Sequence, residues 1–197
     1  MKTAWFDEEK IVESMNNSGF KPLRESDHFP SLRECFNKVK GKTLFDLGCG
    51  AGEAFSAFKN FDYTGADLPH VIDNVARSKN KDGNFLHFDA NEGDYSILKE
   101  FDVVLMNSFL SEIPDWYRIL SNVLLNAEKF VILHRQEVTD KETRLETYPT
   151  YGGLLTTKTV INYEILTRIF ELNEFNIIHE VNSFKNTDSQ KTFLISK

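Results

Sequence analysis

Asp46-Leu47-Gly48-Cys49-Gly50-Ala51-Gly52-Glu53 decides how this chain is read. An apolar run, Thr43-Leu44-Phe45, leads into it, and Glu53-Ala54-Phe55-Ser56-Ala57-Phe58-Lys59 follows with a composition that opens a helix. The order is short strand, glycine-rich turn, helix. Glycine lacks a Cβ, so it serves where the backbone turns sharply or lies against a ligand. In an open α/β sheet, the crevice at the carboxyl end of the first strand is where a nucleotide-like ligand sits.

The spacing of the glycines separates two cofactors. A dinucleotide fingerprint, G-x-G-x-x-G, brings a pyrophosphate to a helix N-terminus. Here the pattern is D-x-G-x-G-x-G, and Glu53 stands where the third dinucleotide glycine would be. A carboxylate there repels a pyrophosphate and suits a ligand that carries an ammonium and a sulfonium and no phosphate. S-adenosyl-L-methionine fits that description. The stretch resembles motif I of the class I (Rossmann-like) S-adenosylmethionine-dependent methyltransferases, with the leading acid and all three glycines present. The competing reading is an ordinary strand-to-helix turn with no ligand.

The resemblance covers residues 40–197 and implies a fold. That fold is a three-layer α/β open sheet of about seven mostly parallel strands, in the order 3-2-1-4-5-7-6, with an antiparallel C-terminal pair. It implies S-adenosyl-L-methionine as cofactor, S-adenosyl-L-homocysteine as product and a small molecule as methyl acceptor. Asp46, Gly48, Cys49, Gly50 and Gly52 are then the first cofactor-binding residues. Phe61 to Leu68 reads as a second strand ending in Asp67, 21 positions after Asp46. An acid at that tip accepts hydrogen bonds from ribose hydroxyls, with Leu68 beside it. Asp67 would equally serve a nicotinamide dinucleotide or act as an N-cap before Pro69. Asn84 to Ala90 reads as a third strand. By resemblance, Asp89 meets the adenine amine and Ala90 offers its N–H to a ring nitrogen; a plain strand-end turn is the alternative.

Phe101-Asp102-Val103-Val104-Leu105-Met106-Asn107 is a near-continuous apolar run, as expected of a central parallel strand buried on both faces. Asn107 ends it and joins the cofactor-binding set. A helix is expected to start near Pro114, with Ile113, Trp116, Tyr117, Leu120, Val123 and Leu124 at helical spacing. Lys129 to His134 is the fifth strand. Residues 135–157 read as a long connection, a form that often carries function. Ile161, Ile165, Leu166, Ile169 and Phe170 mark a further helix, and Phe175–Val181 with Thr192–Ile195 form the closing antiparallel pair.

Residues 1–40 read as an N-terminal helical segment packed on a single cofactor-binding domain, residues 41–197. Trp5, Phe6, Ile11, Val12 and Met15 suit a short helix that Asn16-Asn17-Ser18-Gly19 ends. Leu32, Cys35, Phe36 and Val39 suit a second. Gly41-Lys42-Thr43 is not a phosphate loop: it precedes its strand, and the upstream glycine's place is Phe36.

The 197 residues suit one domain with a sizeable core, 41% hydrophobic and 27% charged. A net charge of −7 argues against nucleic acid as partner, because phosphate binding relies on Lys and Arg patches. No run approaches the ~18 apolar residues of a membrane span, and the first residues turn acidic at once, unlike a signal peptide. Two cysteines, Cys35 and Cys49, make neither a disulfide framework nor a metal pattern. A cytoplasmic protein is expected, with no membrane partner. The 17 phenylalanines are expected to fill the interfaces between sheet and helices.

Methyl transfer from a sulfonium needs mainly alignment, plus a proton acceptor when the nucleophile carries a proton. The Asn-Pro-Pro-aromatic motif of members that methylate bases and amides is absent: its place reads Asn107-Ser108-Phe109-Leu110. A hydroxyl, carboxyl or simple amine acceptor stays open. His134, at the end of the fifth strand, is the candidate catalytic base, against a strand-end histidine that meets only water or backbone. Glu112, Tyr148 and Tyr151 are weaker candidates. Asp115 and Glu137 are too scattered for a metal cluster, so no metal is expected. A nicotinamide-dependent oxidoreductase and a non-catalytic relative of the methyltransferases are the competing functions.

Overall fold

The computed structural model describes residues 5, 7–17, 22–149 and 154–197. Phe6, Ser18, Gly19 and Tyr151, named above, lie outside them. Strands β1 (Thr43–Leu47), β2 (Asp62–Asp67), β3 (Asn84–His87), β4 (Val103–Asn107) and β5 (Phe130–Thr139) run parallel in the order β3-β2-β1-β4-β5. After a β6 (Arg144–Pro149) and β7 (Leu155–Asn162) hairpin come β8 (Asn176–Phe184) and β9 (Thr187–Ser196). Strand β9 pairs antiparallel with β5 and with β8. With β8 and β9 as the sixth and seventh strands, this is the expected 3-2-1-4-5-7-6 sheet.

Period-two alternation explains the two layers around it. Leu44, Val103, Leu105 and Ile132 point to one face. There they meet Leu32, Cys35 and Phe36 of α2 (Phe29–Phe36) and Ala54 and Ala57 of α3 (Glu53–Ala57). Phe45, Val104, Met106 and Val131 point to the other. There they meet Ile119, Leu120 and Val123 of α6 (Trp116–Asn126) and Ile169 and Phe170 of α7 (Tyr163–Leu172). The phenylalanines fill these interfaces as expected: Phe36 stacks on Phe58 at 3.7 Å between centroids, and Phe45 meets Phe88 and Phe101 edge-on. The run after β2 is helical throughout, α4 (Pro69–Val71), a π turn at Ile72–Ala76, then α5 (Arg77–Lys79).

Two polar fixings set the position of the glycine turn. Asp102, at the mouth of β4, accepts from the Lys42 and Thr43 N–H groups at 2.6 and 3.3 Å and also pairs with Lys129. It thus ties the starts of β1, β4 and β5. Helix α1 (Glu8–Asn17) lies over the carboxyl ends of β1 and β2, where Ile11 and Met15 pack on Ala51, Val71 and Val75. Lys79 Nζ donates to the Met15 carbonyl at 3.0 Å.

The stretch 135–157 corrects the sequence reading. Its described residues are largely strand: β5 runs on to Thr139, and β6 pairs with β7 from Arg144↔Val160 to Pro149↔Leu155. Strand β7 also pairs with the far end of β5. Arg135 and Glu137 belong to β5, and the charges of β6, Arg144 and Glu146, sit on a strand with no apolar period, so alternation gave no signal there. No helix among the described residues is long and apolar enough to cross a membrane.

Candidate active site

A cavity of about 850 Å³ opens at the carboxyl ends of β1, β2 and β4. Its floor is the glycine turn. Gly48, Gly50 and Gly52 have φ of +74°, +54° and +73°, the left-handed region that L side chains avoid. Space is as restrictive as conformation at Gly48, where a Cβ would lie 2.1 Å from the Phe109 ring. The turn thus brings bare backbone under Phe109, which follows β4. The N–H groups of Gly48 and Cys49 are spent on the Ala66 carbonyl, at 2.8 and 3.1 Å, so β2 holds the turn in place.

Asp46 is 2% exposed. Its Oδ2 accepts from the Tyr63 hydroxyl at 2.8 Å, while Oδ1 is buried with no donor. Burial, reinforced by the nearby Asp67 and Glu53 charges, pushes its pKa up to about 7 against the pull of the Tyr63 hydrogen bond. Asp67 lines the cavity beside it. Its Oδ2 accepts from the Gly50 N–H at 2.8 Å and its Oδ1 from the Leu68 N–H at 2.7 Å. Burial raises its pKa and those two N–H groups oppose the rise. Each oxygen keeps a lone pair for a ligand hydroxyl. Leu68, Asp89, Ala90 and Asn107 also line the wall. Asp89 Oδ1 accepts from the Asn91 N–H at 2.8 Å, and the Ala90 carbonyl accepts from Tyr95 at 2.8 Å. Asn107 ends β4 with Oδ1 buried and undonated.

Two expected site residues are placed elsewhere. Gly52 is not on the cavity wall; its N–H closes the turn on the Cys49 carbonyl at 2.9 Å, and a Cβ would press on Phe85 and Asn80 at 2.8 and 2.9 Å. It serves the close approach of turn, β3 and α5. His134 is 1% exposed and sits inside β5, four residues beyond its start, paired in register with Asn107. It does not face the cavity. Strand β5 continues past it, so His134 is not at a strand end.

The opposite end of the cavity is polar and assembled from distant segments. Glu112, on the turn after β4, accepts from the Tyr148 hydroxyl of β6, and its Oε2 is buried without a hydrogen-bond partner. Burial raises its pKa; Tyr148, Trp5, Arg135 and Lys158 act in the other direction. Glu137, on β5, accepts from Lys158 at 3.2 Å and from Gln190 at 2.5 Å. His28, Arg135 and Phe184 complete this end. Sequence reasoning missed His28 and Arg135. Neither lies in a motif: His28 comes from the segment before α2, and Arg135 owes its direction to a bulge. Among the described residues no group of His, Cys, Asp and Glu is arranged to hold a metal ion.

These features agree with a family match. The model of a methyltransferase domain matches residues 24–180, and the chain belongs to that family. The family's cofactor is S-adenosylmethionine. No curated protein sequence matches the chain. Among solved structures, it is similar to CalS10 from Micromonospora echinaspora, an amino pentose methyltransferase solved with S-adenosylmethionine (TM-score 0.67, 12% identity, 94% of this chain, 96% of that one). It is also similar to an S-adenosylmethionine-dependent methyltransferase from Clostridium acetobutylicum (TM-score 0.66, 13% identity, 98% of both chains). Human N-acetylserotonin methyltransferase, solved with the same cofactor, aligns over 98% of this chain and 57% of its own (TM-score 0.70, 16% identity). At these identities the likeness is one of fold.

The cavity suits that cofactor on its own evidence. Asp46 Oδ1 and Asn107 Oδ1 are acceptors lacking donors, which an α-ammonium supplies. Asp67 retains acceptor capacity for a ribose. Gly48 and Gly50 leave backbone bare where a side chain would intrude.

Proposed function

We propose that this chain is an S-adenosylmethionine-dependent methyltransferase that acts on a hydroxyl, carboxyl or amine of a small molecule. One observation carries the reading: a single cavity joins a turn suited to the cofactor to a second, polar end lined by Glu112, Tyr148, Arg135 and Glu137. Its size, about 850 Å³, is in the upper part of the ~300–1,000 Å³ range of small-ligand sites, so an acceptor has room beside the cofactor. The small-molecule acceptor of CalS10 supports the same class.

When bound, the cofactor supplies an electrophilic methyl on a sulfonium, and the protein's part is alignment. Asp67 would hold the ribose hydroxyls, Asp46 and Asn107 the ammonium, and Asp89 and Ala90 the adenine edge, with Leu68 beside it. Gly48, Cys49 and Gly50 would form the floor. Phe109 closes one side, and α1 with Met15 covers the top, which excludes water from the charged end of the ligand.

Calorimetry with S-adenosylhomocysteine tests the cofactor site, with saturable one-to-one binding expected. Release of S-adenosylhomocysteine from S-adenosylmethionine in the presence of amines, phenols and carboxylic acids tests the activity. Binding without turnover on any acceptor would favour a non-catalytic relative. Tighter binding of a reduced nicotinamide dinucleotide would favour an oxidoreductase.

A further inference from the structure

Two histidines, neither at the glycine turn, form a buried hydrogen-bonded chain that ends at the cavity. His28 Nδ1 lies 2.9 Å from His134 Nε2, and His134 Nδ1 lies 2.7 Å from Thr192 Oγ1. Thr192 Oγ1 is 2.9 Å from Ser183 Oγ. His134, Thr192 and Ser183 are each at most 2% exposed. On the cavity side, Arg135 Nη1 lies 3.3 Å from His28 Nε2.

The register shift between β5 and β9, falling between Leu133 and Gln136, explains how neighbours reach the same histidine. Arg135 sits inside that irregularity with φ +57°. A bulge re-aims consecutive side chains that a regular strand would send to opposite faces. Here it lets His134 meet His28 from inside the sheet while Arg135 meets it from the cavity.

The order of protons along the chain follows from one fact: a guanidinium only donates. His28 Nε2 must therefore accept. A neutral His28 then has its proton on Nδ1 and donates to His134 Nε2. His134 in turn has its proton on Nδ1 and donates to Thr192. Burial first, then the Arg135 charge, lowers His28 to about 4. Burial, then the neighbouring His28 and Arg135, lowers His134 well below the ordinary value. Both rings are neutral across the neutral range. The charged and titratable groups facing His28 are His134 and Arg135 from β5 and Asp27 beside it, and the Phe184 ring of β8 meets it edge-on.

We infer that His28 is the catalytic residue that meets the methyl acceptor, its Nε2 lone pair held toward the cavity by a chain running back through His134 to Thr192. This rests on the methyltransferase reading above. Arg135 Nη1, held at a long 3.3 Å, occupies the place that an N–H or O–H of the acceptor would take. As the acceptor's nitrogen or oxygen uses a lone pair to bond the methyl carbon, the carbon–sulfur bond breaks with its electron pair left on the sulfur, giving S-adenosylhomocysteine, and the acceptor's bond to hydrogen breaks with its pair left on the reacting atom. The proton passes to Nε2, and His28 leaves the step as an imidazolium that later loses that proton to water. Displacing the guanidinium from Nε2 also removes one of the two causes of the lowered basicity. The acceptor therefore carries a hydrogen on its reacting atom, which favours an amine or a hydroxyl over a carboxylate. His134 is a positioning residue: it fixes the tautomer of His28, as a second group orients the base in other nucleophile–base pairs.

Long-range proton–nitrogen correlation spectra of the full chain, labelled with ¹⁵N-histidine and assigned with His28→Gln and His134→Gln, test the tautomers. At pH 7 both rings should be neutral with the proton on Nδ1, and Thr192→Val should add an Nε2–H population at His134 and His28. A His28 that carries its proton on Nε2, or both protons, overturns the inference. In turnover of S-adenosylmethionine with a panel of simple amines and phenols, His28→Gln should lower kcat by about a hundredfold or more. Its S-adenosylhomocysteine affinity should stay within about twofold of wild type, since Gln keeps an acceptor on the wall. Wild-type kcat in His28→Gln overturns the inference. Failure of S-adenosylhomocysteine to bind the wild-type protein overturns the methyltransferase reading instead, and the tautomer measurement still decides the chain.

Discussion

The cavity has two ends built in opposite ways. The cofactor end is local: Asp46 to Gly50 is one turn, and Asp67, which receives the Gly50 N–H, follows it by a single helix and strand. Its floor is bare backbone, and its side-chain acceptors are placed by strand ends. The acceptor end is remote: Glu112 meets Tyr148 of the hairpin, Glu137 meets Gln190 of β9, and His28 meets His134 across 106 residues. One end is defined by conformation and the other by tertiary packing. Substitutions should divide along the same line, with cofactor affinity sensitive to the first and acceptor chemistry to the second.

The largest effect is expected at Gly48. Any Cβ meets the Phe109 ring at 2.1 Å and the residue must hold φ +74°. Gly48→Val should cost about 3 kcal/mol or more of stability, from a left-handed β-branched residue together with overpacking. Urea denaturation would register that loss, and S-adenosylhomocysteine binding should vanish with it. A variant of wild-type stability that binds normally would show that the turn is not a rigid floor.

Asp67→Ala should come next. It removes acceptors from the Gly50 and Leu68 N–H groups as well as from a ribose, and about 1–3 kcal/mol of binding, roughly tenfold to a hundredfold in affinity, should go. Tyr148→Phe sharpens the comparison from the other end. It should raise the KM of an accepted methyl acceptor several-fold, by about 1 kcal/mol for one lost hydrogen bond, and leave S-adenosylhomocysteine affinity unchanged. An equal loss in both would mean that the two ends are not separable.

Protonation gives a subtler distinction. Asp46 is raised to about 7, above the value near 3.9 of an unfolded aspartate. The folded protein therefore holds this proton more tightly than the unfolded chain does. Its contribution to stability is present at low pH and is lost as pH rises through about 7. Asp46→Asn should remove that part of the pH dependence, seen as a flatter profile of denaturation midpoints between about pH 4 and about pH 7. The smallest effect should be at Cys49→Ala, about 1 kcal/mol or less, because the backbone N–H of Cys49, bonded to Ala66, does the structural work.

The same contrast explains what could be read from the sequence. The parallel strands and the turn were legible because both depend on short-range patterns, apolar runs for buried strands and alternating glycines followed by an acid; the sheet order came only from the family resemblance that the turn carries. The β6–β7 hairpin was not, since its polar outer faces have no alternation that marks a strand. His134 was legible as a histidine on the fifth strand, but its burial depends on Thr192 and on the bulge at Arg135, far apart or irregular in the chain. His28 had no local signal, because its meaning comes only from the histidine it touches. Gly52 was read as part of the ligand cradle because glycine spacing cannot tell contact with a ligand from contact with Phe85.

The most direct measurement is calorimetric titration of the wild-type chain with S-adenosylhomocysteine at pH 7.5, with Asp67→Ala as the paired sample. Saturable binding of one equivalent to wild type, weakened at least tenfold in the variant, is predicted by an adenosine site at the end of β2. No heat at millimolar ligand, or equal affinity in the two proteins, would contradict it.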